Sequence, residues 1–362
     1  DSQGNLWIGT RGGGLNFFNT QTELFTHYRH QSDNINSLSH DFIYSLIEDN
    51  QGNLWIGTVG GGLNFFNTKN HEFTHYRHQE NDSTSLSHDN VMTIVEDHHH
   101  NLWIGTGNGL NYFNIKNEQF TSYHHNPNDL NSLSHNNVFS IVEDSKDNLW
   151  IGTRGGGLNH FNTKNGQFTH YRHQKNDPNS LNNDSVYTAI EDSQGNIWVG
   201  TFGGGLSYFN SKSKQFTQYH HQSNNPNSLS HDAVINLTED NQGNIWIGTV
   251  GGGVNHFNIN NGPFTHYSHR TNDFNSLSHN NVFSILEDSQ GDLWVGTQTG
   301  GLNHFDSKNN QVTHYRHQAN NLNSLSHDIV SSVIEGRDGN IWIGTNKGVN
   351  HFNIKNKQFT HY

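Results

Sequence analysis

Asn148-Leu149-Trp150-Ile151-Gly152-Thr153-Arg154-Gly155-Gly156-Gly157-Leu158-Asn159-His160-Phe161 is one copy of a text that recurs along the whole chain. Its tryptophan has counterparts at Trp7, Trp55, Trp103, Trp198, Trp246, Trp294 and Trp342, spaced by 48 residues except for one step of 47. Self-similarity at a fixed period of this length marks a repeat architecture. Working outward from Trp150, one period holds four short runs rich in β-branched and aromatic residues: Val138–Val142, Leu149–Thr153, Leu158–Phe161 and Phe168–Tyr171. Asn, Asp and Gly clusters separate them, which reads as strands joined by hairpins. No segment sustains a 3.6-residue period, so helical solenoids are excluded.

Four antiparallel strands in each period of about 48 residues define a propeller blade. Such a sheet has two apolar faces and is stable only between neighbours. The fold class is therefore all-β, a β-propeller forming a single domain over 1–362. Its blades cover approximately 1–30, 41–78, 89–125, 136–173, 184–221, 232–269, 280–317 and 328–362. Asp1 aligns with Asp49, after a first strand, and Tyr362 aligns with Tyr28, after a fourth. Three strands plus seven sets of four give 31, so eight blades are expected, the first lacking its inner strand. The alternative is a seven-bladed ring plus a partial blade. An unpaired inner edge is a liability, and the chain reads as a segment of something longer.

The sequence has 362 residues, a net charge of −13 with neutral histidine, 29 histidines and no cysteine. An acidic balance argues against nucleic acid as a partner. Without cysteine there is no disulfide, Cys-ligated zinc or thiol nucleophile. No apolar run is long enough for a membrane segment.

The repeated Glu-Asp-x-x-Gly-Asn-Leu-Trp-Ile-Gly-Thr-x-Gly-Gly-Gly-Leu-Asn-x-Phe, with Asn-Ser-Leu-Ser-His before each blade (Asn36–His40, Asn323–His327), resembles the two-component regulator propeller repeat over the whole chain. The resemblance implies a ligand-binding sensor region of a bacterial receptor, periplasmic or extracellular, flanked in the parent protein by signalling domains such as a histidine kinase or diguanylate cyclase.

Three features invite chemistry. In the Glu-Asp-x-x-Gly-Asn turn, Asp is expected to accept backbone N–H bonds while Gly takes the left-handed position. Gly12-Gly13-Gly14 and its copies join two strands with no helix following, which reads as a tight hairpin and not a phosphate loop. Histidine sorts into repeated slots for 25 of 29 residues: the third strand (His160), the fourth (His170), just beyond it (His173), the link (His135), and a slot shared with Arg (His124). Copies spread over separate blades do not converge on one ion, so no metal site and no cofactor is expected. His98, His99 and His100 replace the usual turn in one blade and read as a drifted surface turn, with loose nickel or zinc chelation as the alternative.

A ligand site should break the repeat. After the second-strand threonine the residue varies: Arg11, Arg154, Phe202, Gln298 and Asn346 are the polar and aromatic cases. The second residue of the first strand is Tyr44, Phe139, Tyr187 or Phe283 in four blades. Planar faces with hydrogen-bond donors suit a small-molecule or oligosaccharide ligand. No activated nucleophile or matched acid–base pair stands out, so a non-catalytic sensor is expected. The rivals are a propeller lyase with a rim histidine and a free-standing multivalent lectin or scaffold. The histidine content also predicts loss of stability or binding between pH 7 and 5.

Overall fold

A computed structural model describes residues 1–259, 262–309 and 311–362. It is an all-β eight-bladed propeller with 31 strands among the described residues. Leu6–Gly9, Leu15–Asn19 and Leu24–Tyr28 make a three-stranded sheet, and seven four-stranded sheets follow, each with its strands in chain order. The fourth blade is representative: Val138–Glu143, Leu149–Thr153, Gly157–Asn162 and Gln167–Tyr171. By contacts the chain divides into two compact units, Asp1–His173 with Asp184–Ala189, and Gln174–Asn183 with Ile190–Tyr362.

From the second blade to the seventh, the second strand is buried because the next blade packs on it. Trp55 lies 4.8 Å from Phe65 of its own sheet and 5.4 Å, edge-on, from Phe113 of the next. Trp103 repeats this with Tyr112 and Phe161. Gly152 permits the close approach: a Cβ there would stand 2.6 Å from Val186 Cγ1, the start of the following first strand. Burying such aromatic and branched side chains is the main stabilising term.

The polar links are anchored rather than loose. Leu38, Leu86, Leu133, Leu181, Leu229, Leu277 and Leu325, from the Ser-Leu-Ser-His text, are all 0 % exposed. The third-strand asparagine is buried too, and Asn159 Oδ1 accepts the N–H of Ser134 at 2.9 Å. A buried amide holding a buried backbone group satisfies both.

Candidate functional site

Antiparallel order puts two kinds of connection at each end of a blade. The first-to-second and third-to-fourth turns share one end. The second-to-third turns and the interblade links share the other.

At the link end the variable turn residues are held by the backbone. In the first unit Arg11 bridges Phe42, Val59 N–H donates to Phe42 C=O at 3.0 Å, and Val59 in turn bridges Asn90. Arg154 N–H donates to Asn137 C=O at 3.0 Å, and Arg154 bridges Ser185. In the second unit Phe202 bridges Ala233, Val250 donates to Ala233 and bridges Asn281, and Gln298 and Asn346 donate to Asn281 and Ile329. A fixed main-chain belt thus carries changing side chains. Arg11, Arg154, Phe202 and Asn346 are exposed, and Gln298 is half-buried with its Oε1 on Asn281 Nδ2. The Arg11 guanidinium lies 5.7 Å over the Phe42 ring.

The second residue of the first strand falls on a β-bulge. Register shifts between Ile43 and Ser45, Val138 and Ser140, and Val282 and Ser284, so Tyr44, Phe139 and Phe283 are each the extra residue. Bulges re-aim side chains. Phe139 and Tyr187 are brought together, stacked with centroids 5.2 Å apart and planes 18° apart. Tyr44 is 45 % exposed, and the Phe283 carbonyl accepts Asn236 Nδ2–H at 2.9 Å. The sequence placed these residues on a strand but did not reveal the bulge.

At the turn end, Asp144 Oδ1 accepts the N–H groups of Lys146 and Asn148, both at 2.9 Å, and Oδ2 accepts the Trp150 indole N–H at 3.2 Å. Burial would raise the Asp144 carboxyl. The His160 ring, these two N–H groups and the indole outweigh burial and hold it at about 2. The preceding glutamate does something the sequence did not signal: it reaches the previous blade. Glu48 accepts Ser2 N–H, Glu239 accepts Ser193 N–H and Oγ–H, and Glu335 accepts Ser289 N–H. The acidic pair is structural.

The histidines divide by hydrogen-bond role. His135 Nδ1 accepts Asn137 N–H at 3.1 Å, and His40, His88, His231, His279 and His327 do the same two residues on. His125 Nδ1 meets Leu133 C=O at 2.7 Å, and His170 Nε2 meets Ser132 C=O at 2.6 Å. His160 does not face His170 across the sheet: its register partner is Thr169, and it packs on Trp150 at 4.6 Å.

The His98–His100 turn fans out. His98 Nδ1 lies 3.1 Å from Asp147 Oδ1 and 3.4 Å from Glu143 Oε2 of the next blade. His100 Nδ1 meets Glu96 Oε1 at 2.7 Å. His99 and His100 also border a groove of about 410 Å³ between the second and third blades, walled by Trp55, Phe65, Tyr76 and Phe113 with Lys116 and Glu118 at its edge. Burial pushes the Tyr76 hydroxyl up to about 12, with Glu118 adding to it. A second cluster, Asp288, Asp292 and His304, is already committed: Asp288 binds the N–H groups of Gln290 and Asp292 and the Trp294 indole. No helix among the described residues is long and apolar enough to cross a membrane.

Fold and belt together define a repeat propeller whose belt turns carry side chains that differ from blade to blade. Residues 37–60, 85–108, 132–155, 180–203, 228–251, 276–299 and 324–347 match the family described as two component regulator propeller, each segment running from the link through the second strand to the belt turn. The chain belongs to the two component regulator propeller family. Among solved structures, the extracellular domain of a hybrid two component system from B. thetaiotaomicron is 27 % identical, with a TM-score of 0.53. The match covers 99 % of this chain and 51 % of that one, so the chain spans about half of that relative's length. The extracellular domain of a one component system from the same organism matches at 22 % identity and a TM-score of 0.45, covering 99 % and 53 %. A catalytically inactive virginiamycin B lyase from Staphylococcus aureus, with quinupristin, is 14 % identical at a TM-score of 0.55, covering 88 % and 95 %; that likeness is one of fold. No curated protein matches the chain.

Proposed function

We propose that the chain is the extracytoplasmic, ligand-binding sensor propeller of a bacterial signalling receptor, and that its ligand is a small molecule of the oligosaccharide class. Membership of the family supports the sensor role, and the relative that is itself an extracellular domain of a two component system supports the location and the flanking signalling domains. The uninterrupted repeat supports treating 1–362 as one domain.

The observation that carries the binding reading is the backbone belt with its bulges. In the first unit the bulges present the stacked Phe139–Tyr187 pair, and the belt holds Arg154 against Ser185, two residues before Tyr187. Flat apolar faces next to a guanidinium and hydroxyls match the two surfaces of a sugar ring. Arg11 and Tyr44, and Phe202, Phe283, Gln298 and Asn346 in the second unit, are the remaining candidates. The groove walled by Trp55, Phe65, Tyr76 and Phe113 offers a second reading, favoured by its volume.

Calorimetry against a glycan panel separates them. One site per chain is expected, weakened at least about tenfold, or about 1.4 kcal/mol, by Tyr187→Ala and Arg154→Ala and unchanged by His99→Ala and Lys116→Ala. The reverse pattern moves the site to the groove. Several equivalent sites would identify a multivalent lectin, and turnover of a bound glycan would identify an enzyme.

A further inference from the structure

The repeat itself shows which residues meet by departure and not by inheritance. In the turn after each first strand, the residue following the Asp position is Ser2, Asn50, Ser145, Ser193, Asn241, Ser289 or Arg337 in seven blades, and His98 in the third. Two residues further on, six blades have glycine, as at Gly52 and Gly195; the third has His100 and the fourth Asp147. His98 and Asp147 lie 49 residues apart, in adjacent blades, and their side chains touch: His98 Nδ1 to Asp147 Oδ1 is 3.1 Å. Glu143, the interblade clamp, completes a triad with Nδ1–Oε2 at 3.4 Å, and the three ligand atoms all lie within 4.8 Å of one another.

Asp147 holds φ at 65°, where its counterparts Gly52 and Gly195 stand at 81° and 78°. A non-glycine residue held in the left-handed region is strained where glycine is not. The turn gains nothing from the side chain, because the bonds Asp147 makes there, its N–H to Asp144 C=O at 3.0 Å and its C=O from Thr163 Oγ–H at 2.7 Å, are backbone bonds that glycine would make as well.

We infer that His98, Glu143 and Asp147 form a binding site for one divalent transition-metal ion of the zinc class, clamping the third blade to the fourth. One imidazole nitrogen and two carboxylate oxygens are a borderline donor set suited to zinc, while calcium takes six to eight oxygens. Ligand atoms around a tetrahedral ion with bonds of about 2.0–2.1 Å stand about 3.3–3.5 Å apart, and His98 already lies 3.1 Å and 3.4 Å from its two partners. His98 is 61 % exposed at its side chain and Asp147 36 %, whereas Glu143 is 7 % exposed. The ion would thus enter from solvent, rest on a buried carboxylate and leave its fourth position to water. The glutamate contact that in other blades is made to the backbone N–H and, at Ser193 and Ser289, the hydroxyl of one residue becomes a three-way crosslink at Glu143.

The test is zinc titration of the untagged full chain, by calorimetry and melting temperature, against reversions to the repeat. His98→Ser and Asp147→Gly restore residues used at those slots in sibling blades, so both are expected to fold, and Asp147→Gly to melt no lower than the parent without metal. The parent should bind one zinc ion at least about tenfold tighter than its remaining histidines do, with a raised melting temperature that chelator reverses. Each reversion should lose that ion, and the double variant His99→Ala/His100→Ala should keep it. A parent with no such ion, a tight ion that survives either reversion, loss of the ion with His99 and His100, or preference for calcium would each overturn the site.

Discussion

Asp144 is where a single side chain does the most for a blade. One carboxylate oxygen closes the turn by taking two backbone N–H groups, and the other holds Trp150 by its indole. The turn role was legible in the spacing Asp-x-x-Gly-Asn; the tryptophan bond was not, because it links residues six apart whose relation depends on the hairpin. With the folded pKa near 2 and an unfolded value near 3.8, the native state binds fewer protons. The stabilisation is therefore present above about pH 4 and lost as pH falls toward 2. The full shift corresponds to about 2.5 kcal/mol, which solvent screening reduces to about 1–2. Asp144→Asn keeps the turn acceptor but turns an amide toward the indole. It should lower stability by about 1–2 kcal/mol at pH 7, by urea denaturation, with the gap from the parent closing as pH approaches 2.5. A gap that stays constant would show that the charge is not what matters.

The strands were legible nearly residue by residue, because aromatic and branched runs between glycine-rich turns leave little choice of register. The links were not. Ser-Leu-Ser-His looked like polar connection, yet its leucine is fully buried and its backbone is bound by the third-strand asparagine. One signal could have exposed this: in the fifth blade the link has Asn182 where others have Ser, and the third strand has Ser207 where others have Asn, and the two still bond, Asn182 N–H to Ser207 Oγ at 3.2 Å. A reciprocal exchange marks contact. The link histidine is a further device, since a Nδ1 that accepts an N–H must be unprotonated. Burial, then the charges of His125 and Arg172, lower the pKa of His135. A lowered histidine stabilises the fold above the unfolded pKa of about 6.5, and that contribution is lost as pH falls below it. Asn183 stands at this slot in the fifth blade. Replacing His135 by Asn should therefore flatten the decline in melting temperature between pH 7 and 5. An unchanged slope would place the sensitivity elsewhere.

Across the whole molecule, two explanations compete for that decline. The chain carries −13 with neutral histidine, and 29 protonated histidines would make it cationic, so like-charge repulsion is one. Loss of buried neutral histidines is the other. The three histidines with lowered pKa, His75, His135 and His256, have burial as the first cause in every case, and charged neighbours come after it. Opposing them, hydrogen bonding to Asp147 and the charge of Glu143 raise His98, but it sits in solvent. Salt separates the two explanations, because it shortens the reach of exposed charges from about 10 Å at 0.1 M toward 3 Å at 1 M and leaves the cost of burying an imidazolium almost untouched. The link histidines stand at most one to a blade, so their repulsion of one another acts between blades and is open to screening. The fall in melting temperature from pH 7 to pH 5 should accordingly survive an increase from about 0.05 M to about 0.5 M sodium chloride with more than half its size intact. A fall that salt abolishes would instead make net charge the governing variable, and the link histidines bystanders.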